Sequence, residues 1–136
     1  MNDRDEPKVE VDRSELADIL AALGGLDEII HQRVRLALMS LLVSLGELDF
    51  TQLRDLMSLS DGNLATHLAL LEEKGYVVSV KTFVKRKPRT RYSTTATGQQ
   101  AFRDYVGRLE ILLGIAPANT DASPLSSVIP LREIRT

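Results

Sequence analysis

Hydrophobic and polar positions recur with two different periods along the chain, and the change between these periods divides it into elements. Steps of three and four residues predict helices, whereas strict alternation predicts strands. The helical period extends up to Gly75, an alternating pattern rich in valine and threonine replaces it from Tyr76 to Thr94, and the helical period then returns. We therefore expect a mainly α protein of the α+β class, with a single β-hairpin before its last helix.

The pattern first predicts a short helix and then a long one. The short helix begins near Ser14 and stops at Gly24-Gly25, and the long helix extends from Asp27 to Leu45, where Gly46 closes it. The long helix carries a second apolar stripe opposite its main one, formed by Leu36, Met39 and Val43. A surface helix needs only one apolar stripe, so another element or another subunit must cover the second one.

Two short helices separated by a tight turn follow. The first begins at Asp49, which together with Gln52 three residues later has the logic of a capping box. The second begins at the N-cap residue Ser60 and ends at Lys74-Gly75. A turn of about four residues around Ser58-Leu59 joins them, and this spacing is typical of a helix-turn-helix, whose second helix is presented to the major groove of DNA.

The alternating region predicts a two-stranded hairpin. Tyr76 to Val84 form its first strand, Lys85 to Pro88 form the turn, and Arg89 to Thr94 form the returning strand. Pro88 is expected to stiffen the turn, because its ring fixes one backbone angle.

A last helix starts at Thr95 and is ended by Pro117. The chain thus divides into three parts. Residues 1–25 form an acidic N-terminal arm with a short helix, residues 26–114 form one folded domain, and residues 115–136 form a flexible tail.

The distribution of charge along the chain indicates a negatively charged partner. The formal net charge is only −2, but residues 76–103 contain seven basic and no acidic side chains. A local basic block within a near-neutral chain is what a partner with a fixed anionic surface would select. The alternative is a solvated hairpin without a partner, which predicts mixed signs of charge that the segment itself does not contain.

Composition excludes several classes of function. There is no cysteine, and the two histidines His31 and His67 are too few to form a metal site without cysteines, so no metal site is expected. No serine-histidine-acid set, phosphate loop or paired buried carboxylate stands out. The apolar stretches are too short to span a membrane, and the acidic N-terminus is unlike a signal peptide. We expect a cytoplasmic protein that is not an enzyme and that uses no cofactor and no membrane.

The order of elements resembles a winged helix DNA-binding domain of the MarR/ArsR-like group of bacterial and archaeal transcriptional regulators. The segments that carry this resemblance are QRVRLALMSLL, LDFTQLRDLMSLSDGNLATHLALLEEKGYV and KTFVKRKPRTRYSTTATGQQAF. They lie between Leu26 and Leu113, which is about two-thirds of the chain. The resemblance implies a winged helix-turn-helix fold whose hairpin is the wing. It also implies a transcriptional regulator, a dimeric repressor that binds double-stranded DNA at a near-palindromic site; it identifies no small-molecule effector.

The residues expected to contact DNA occupy the second short helix and the hairpin. Free amides and the helix dipole favour a phosphate at the helix N-terminus. Asn63 can bond an adenine edge in two places or serve as a second cap partner, and Asp61 can accept from cytosine or interact with the helix dipole, the role we favour. For His67 we favour a structural hydrogen bond. The candidates are Ser60, Asp61, Gly62, Asn63, Thr66 and His67 in the helix, and Lys81, Lys85, Arg86, Lys87, Arg89 and Arg91 in the hairpin.

The dimer is expected to form through the long helix and the last helix. Its candidate residues are Leu36, Met39, Val43, Tyr105, Leu109, Leu112 and Leu113. If these residues pack within one chain, they are simply core. Two rival functions stay open. The first is a protein-binding module that docks its basic wing on an acidic partner. The second is a nucleic-acid enzyme, which would need converging carboxylates that the sequence does not offer convincingly.

Overall fold

A computed structural model describes residues 12–115. Within this range the chain forms five helices and a three-stranded antiparallel sheet with the order β1-β3-β2. The elements are α1 (Arg13–Gly24), α2 (Arg33–Leu45), β1 (Leu48–Asp49), α3 (Phe50–Met57), α4 (Asp61–Glu73), β2 (Val77–Val84), β3 (Lys87–Thr94) and α5 (Ala96–Leu112). The prediction of a mainly α winged helix-turn-helix with a long last helix is confirmed.

The helix-turn-helix formed by α3 and α4 begins at the caps that the sequence predicts. Asp49 Oδ1 accepts a hydrogen bond from the N–H of Gln52 (2.8 Å), and the N–H of Asp49 donates to the Gln52 side chain (2.9 Å). At the end of α3, Ser58 adopts a left-handed conformation (φ 54°). Ser60 Oγ then accepts from the N–H of Asn63 (3.2 Å) and starts α4. Local side-chain chemistry therefore sets both boundaries of the turn.

The hydrophobic core surrounds α2. Its residues Leu38, Met39 and Leu42 are fully buried within the chain. They lie in one cluster with residues of α3, α4, the sheet and α5, namely Leu53, Leu64, Leu68, Leu71, Val77, Tyr92, Phe102 and Tyr105. Because the chain itself covers Met39, the second apolar stripe of α2 needs no partner subunit at that point.

The helix predicted from Asp27 to Leu45 begins later, at Arg33. Asp27 Oδ1 accepts from the N–H groups of Ile29 (2.8 Å) and Ile30 (3.2 Å) and thereby holds a separate turn. This is the competition with helix that short polar side chains offer to nearby amides. The Tyr76 hydroxyl also donates to Asp27, and burial together with this bond raises the pKa of Tyr76 to about 12.

The helix predicted to begin near Ser14 begins at Arg13, where Asp12 caps it, since its carboxylate accepts from the backbone N–H of Ser14 (2.9 Å). One further helix boundary differs from the prediction. The last helix ends at Leu112, before Pro117, and Gly114 takes a left-handed conformation (φ 72°). Pro117 itself, the predicted flexible tail and the first part of the acidic arm lie outside the described residues.

The sheet has three strands where the sequence predicts two. The short strand β1 pairs with β3, with Leu48 opposite Tyr92 and Asp49 opposite Arg91. Its shortness hides it from a periodicity analysis, because two residues show no alternation.

The hairpin turn is shorter than predicted. It consists of Lys85 and Arg86 alone, both left-handed (φ 52° and 68°), whereas Pro88 lies in β3 opposite Phe83. A two-residue turn with positive φ at both positions matches the twist of the two strands. Proline is tolerated at position 88 because β1 does not extend that far and leaves this part of β3 at the sheet edge.

Candidate nucleic-acid interface

The first turns of α4 present polar side chains to solvent, while the opposite face of the helix is buried. Leu64, Leu68 and Leu71 pack inside the core. The candidates Ser60, Asp61, Gly62, Asn63 and Thr66 are all exposed and lie together at the start of the helix. The first amides of a helix have no partner within it, so this end also presents N–H donors.

Asn63 and Thr66 differ in how far the chain engages their side chains. The Thr66 hydroxyl donates to the carbonyl of Gly62 (2.9 Å). The backbone N–H of Asn63 donates to Ser60, but its side-chain amide makes no hydrogen bond to any residue between 12 and 115. Of the two roles open to Asn63, an amide without an internal partner favours contact with a base over a second cap.

Gly62 occupies open space at the same turn. A Cβ atom added there would meet nothing within 4 Å. Glycine inside a helix is less favourable than alanine by roughly 0.5–1 kcal/mol, and no contact within the described chain requires it. The position leaves room for another molecule to approach the backbone closely.

Asp61 is engaged by a residue that sequence reasoning missed. Arg54 of α3 forms a salt bridge with Asp61 (3.1 Å) across the turn of the helix-turn-helix and a second one with its neighbour Asp55 (3.4 Å) in α3. This agrees with a role of Asp61 in starting the helix rather than in base recognition. The signal in the sequence is the seven-residue spacing between Arg54 and Asp61, which becomes meaningful only once the turn brings them together.

His67 is half-buried on the side of α4 that faces α2. Its Nδ1 atom accepts a hydrogen bond from the Arg35 guanidinium (3.1 Å), since arginine can only donate. Burial and the positive charge of Arg35 hold the pKa of His67 below its usual value. The other histidine, His31, forms a hydrogen bond with the Tyr105 hydroxyl (2.7 Å). Both imidazoles therefore have partners inside the chain.

The wing divides into two groups of basic residues. We call Lys81, Lys85, Arg86 and Lys87 the wing tip. All four are exposed, and none forms a salt bridge within residues 12–115. This end of the hairpin is an uncompensated positive surface, with two of its charges carried by the turn itself.

We call Arg89, Arg91 and their acidic partners Asp49 and Glu47 the wing base. Arg89 donates to Asp49 (2.9 Å), whose side chain is only 5% exposed while that of Arg89 is 52% exposed. Arg91 pairs with Glu47 (3.0 Å). The basic residues of the hairpin are therefore not all free of acidic neighbours, because Asp49 of β1 and Glu47 just before it come from a distant part of the sequence.

The predicted dimer residues fall into three groups. Met39 and Tyr105 belong to the core, so their assignment to an interface is corrected. Leu36, Val43 and Leu109 are partly buried against that core, Leu112 is half-buried, and Leu113 is 68% exposed.

The helix α1 has an exposed apolar face that the predicted dimer interface does not include. Leu16, Leu20 and Leu23 follow one another at steps of four and three, and they are 42%, 58% and 55% exposed. The helix packs on α5 but buries only Ala22. Three exposed leucines on one helix face mark a surface that another apolar surface is expected to cover.

The described part of the chain contains neither a membrane-spanning helix nor a cluster of metal ligands. No helix between residues 12 and 115 has the length and apolar character needed to cross a membrane. In the same range, no three histidine or carboxylate side chains come together in a way that would hold a metal ion.

Comparisons with known proteins agree with this geometry. A family model described as a winged helix DNA-binding domain matches residues 34–113. An uncharacterized protein of Methanocaldococcus jannaschii is 35% identical over 79 residues, which are 58% of this chain and 86% of that protein. The structure of a transcriptional regulator homologue from Pyrococcus horikoshii has a TM-score of 0.63 and 28% identity, covering 74% of this chain and 95% of its own. The YusO protein of Bacillus subtilis shares the fold, with a TM-score of 0.51 and 16% identity over 90% of this chain and 79% of its own.

Proposed function

Because this chain belongs to the winged helix DNA-binding domain family, we propose that it is a sequence-specific transcriptional repressor that binds its operator as a homodimer. The fold and family are those of DNA-binding regulators, and the proposal adds sequence specificity, assembly and the direction of control. Two observations carry it together: the first turns of α4 expose polar side chains, and the four wing-tip cations form no salt bridge within residues 12–115.

The start of α4 is suited to the major groove. Asn63 has an unengaged amide, and an amide can bond an adenine edge in two places. Gly62 lets a phosphate approach the helix N-terminus, where amides and the dipole favour an anion. Further along the helix the exposed positions Ala65 and Ala69 offer only methyl groups. Base recognition is therefore concentrated in the first turns.

The wing tip supplies affinity that does not depend on sequence. Lysine and arginine side chains that contact phosphates release counterions, so each contact adds about 0.9 to the slope of log K against log salt. The four wing-tip charges are not neutralised by neighbours within residues 12–115 and are available for such contacts. Arg89 and Arg91 already have acidic partners, and we assign them to holding the wing in place.

Dimerisation follows from the leucine face of α1 rather than from α2. Leu16, Leu20 and Leu23 are exposed in the single chain, and Ile111 and Leu113 are exposed apolar residues at the end of α5. Dimers of helix-turn-helix proteins place their two recognition helices at successive turns of the duplex, about 34 Å apart, and we propose this spacing for a two-fold dimer formed through α1 and the end of α5. A bound dimer of this size represses by excluding other proteins from the DNA that it covers.

Selection of duplexes from a random library by the purified protein tests specificity. We expect a near-palindromic motif with half-sites about one helical turn apart. Recovery of sequences without a shared motif would contradict specific recognition, even if the protein retained DNA.

Sedimentation of the Leu20→Glu variant tests the dimer. Leu20 is exposed in the single chain, so a charge there should leave the fold intact, separate the subunits and weaken operator binding by about 100-fold through lost bivalency. Leu56→Glu is the matched control for sedimentation, since Leu56 is equally exposed on α3 and outside the proposed interface. A monomeric wild-type protein at micromolar concentration would contradict the dimer.

A further inference from the structure

One side chain at the end of the wing is not explained by charge. Phe83 is 71% exposed and is not part of the hydrophobic core, whereas Phe102 is buried and Phe50 packs partly against the core. Burying a phenylalanine side chain completely is favourable by about 1.5–3 kcal/mol. An aromatic ring held in water at the end of a hairpin therefore suggests a surface that becomes covered on binding.

The backbone fixes where this ring lies. Phe83 is paired with Pro88 across the hairpin, one pair before the Val84–Lys87 pair that closes it. Directly paired residues share a face of a sheet, and residues two apart along a strand do so as well. Phe83 therefore lies with Pro88 and Lys81 on one face, while Val80 and Val84 lie on the other.

The surroundings of Phe83 identify the partner. The nearest charged residues along the hairpin are Lys81, Lys85, Arg86 and Lys87, which are unpaired within residues 12–115. An apolar protein surface would have to desolvate these cations without neutralising them. The minor groove of DNA can neutralise the cations and also cover the apolar ring. Phosphates line its edges, while sugars and bases form its walls and floor.

We propose that Phe83, supported by Pro88, is an apolar wedge that enters the minor groove, opens one base step and bends the operator. This inference rests on the proposed function and adds to it a residue and a deformation of the DNA. Proteins that insert phenylalanine or proline between base steps kink the duplex, and flexible pyrimidine–purine steps are the easiest to open. Phe83 thus adds a sequence preference without a hydrogen bond to a base.

The test measures affinity, salt dependence and DNA bending on a duplex that the wild-type protein selects from a random library. Phe83→Ala should bind about tenfold more weakly, as expected for the loss of one buried aromatic contact. Its salt slope should not change, and the bend measured by energy transfer between the duplex ends should disappear. Phe83→Leu should retain part of both effects. Val80→Ala, on the opposite face of the same strand, should behave as wild type.

The possible outcomes separate this inference from the proposed function. If wild-type protein shows no salt-dependent binding to any duplex, the proposed function fails. If it binds but Phe83→Ala binds and bends DNA as wild type does, only the wedge is wrong. If Phe83→Ala and Phe83→Leu reduce thermal stability and affinity in parallel without affecting the bend, Phe83 merely packs on Pro88, which also overturns the inference.

Discussion

The two ends of the wing carry the same kind of side chain but differ in what surrounds it. At the wing base, Arg89 and Arg91 meet Asp49 and Glu47. At the wing tip, four cations meet no carboxylate among residues 12–115. The cause is topological, because β1 pairs with β3 only near Arg91 and Tyr92 and brings its acidic residues to that end alone. The number of basic residues in a hairpin therefore does not give the charge that is available to a partner.

Asp49→Ala should have the largest effect on this contrast. Asp49 caps α3 and holds Arg89, so a single buried carboxylate links the helix-turn-helix to the wing. We expect a loss of about 2 kcal/mol in the free energy of unfolding, from the lost cap and the lost charge-assisted hydrogen bond. Urea denaturation measures it. Asp55→Ala, which removes an exposed carboxylate that caps no helix, is the control. Equal stability of both variants would mean that Asp49 does not hold the wing base together.

Asn63→Ala should reduce the recognition of bases by α4 without changing the contribution of either end of the wing. We expect a loss of about 1–3 kcal/mol of discrimination at one base position and little change for unrelated duplexes. Competition between the selected duplex and its single-base variants measures this. If the preferred sequence stayed the same, Asn63 would serve α4 only as a cap partner.

Arg86→Gly should affect the wing tip in two opposite directions. Arg86 is held in a left-handed conformation (φ 68°), which costs an L-residue about 1–2 kcal/mol and glycine much less. The variant should therefore be more stable to thermal unfolding but bind all duplexes more weakly. Arg86→Ala keeps the strain and removes the same charge, so it should lose affinity without the gain in stability. A gain in both properties would show that Arg86 has no part in binding DNA.

His67→Gln should have the smallest effect, and the effect is on the pH dependence of stability. Like the arginines of the wing base, His67 has a partner within the chain, Arg35. The pKa of His67 is lowered in the folded chain, so the unfolded chain binds the proton more readily. Its contribution to stability is present above pH 6.5 and is lost as pH falls through the folded pKa. Between pH 7.5 and 5.5, the melting temperature of wild type should fall further than that of His67→Gln. The second histidine is present in both proteins and cancels.

What the sequence predicted well was local. The capping box of Asp49 and Gln52 and the cap at Ser60 connect residues three apart, so the helix-turn-helix follows from neighbouring side chains. The hairpin is equally local, because its two eight-residue strands follow each other in the sequence and are joined by a turn of two residues.

What the sequence did not predict depends on contacts between distant segments. The pairing of Arg89 with Asp49 spans 40 residues, and no pattern along the chain connects them. The same holds for Met39, whose burial depends on how α2 is surrounded by other elements. The turn at Asp27 was missed because its side chain competes with a helix that the apolar pattern favours. The division of the wing residues into paired and unpaired groups therefore follows only from the three-dimensional arrangement.

If the wing tip binds DNA while the wing base only holds the wing in place, the two groups of residues must differ in how they change the salt dependence of binding. Affinity for one selected duplex is measured over a range of salt concentrations for wild type, Lys85→Ala, Lys87→Ala and Arg91→Ala. We predict that each lysine variant lowers the slope of log K against log salt by about 0.9, whereas Arg91→Ala leaves it unchanged because Glu47 already pairs with Arg91. An equal drop for Arg91→Ala, or unchanged slopes for both lysine variants, would contradict the account.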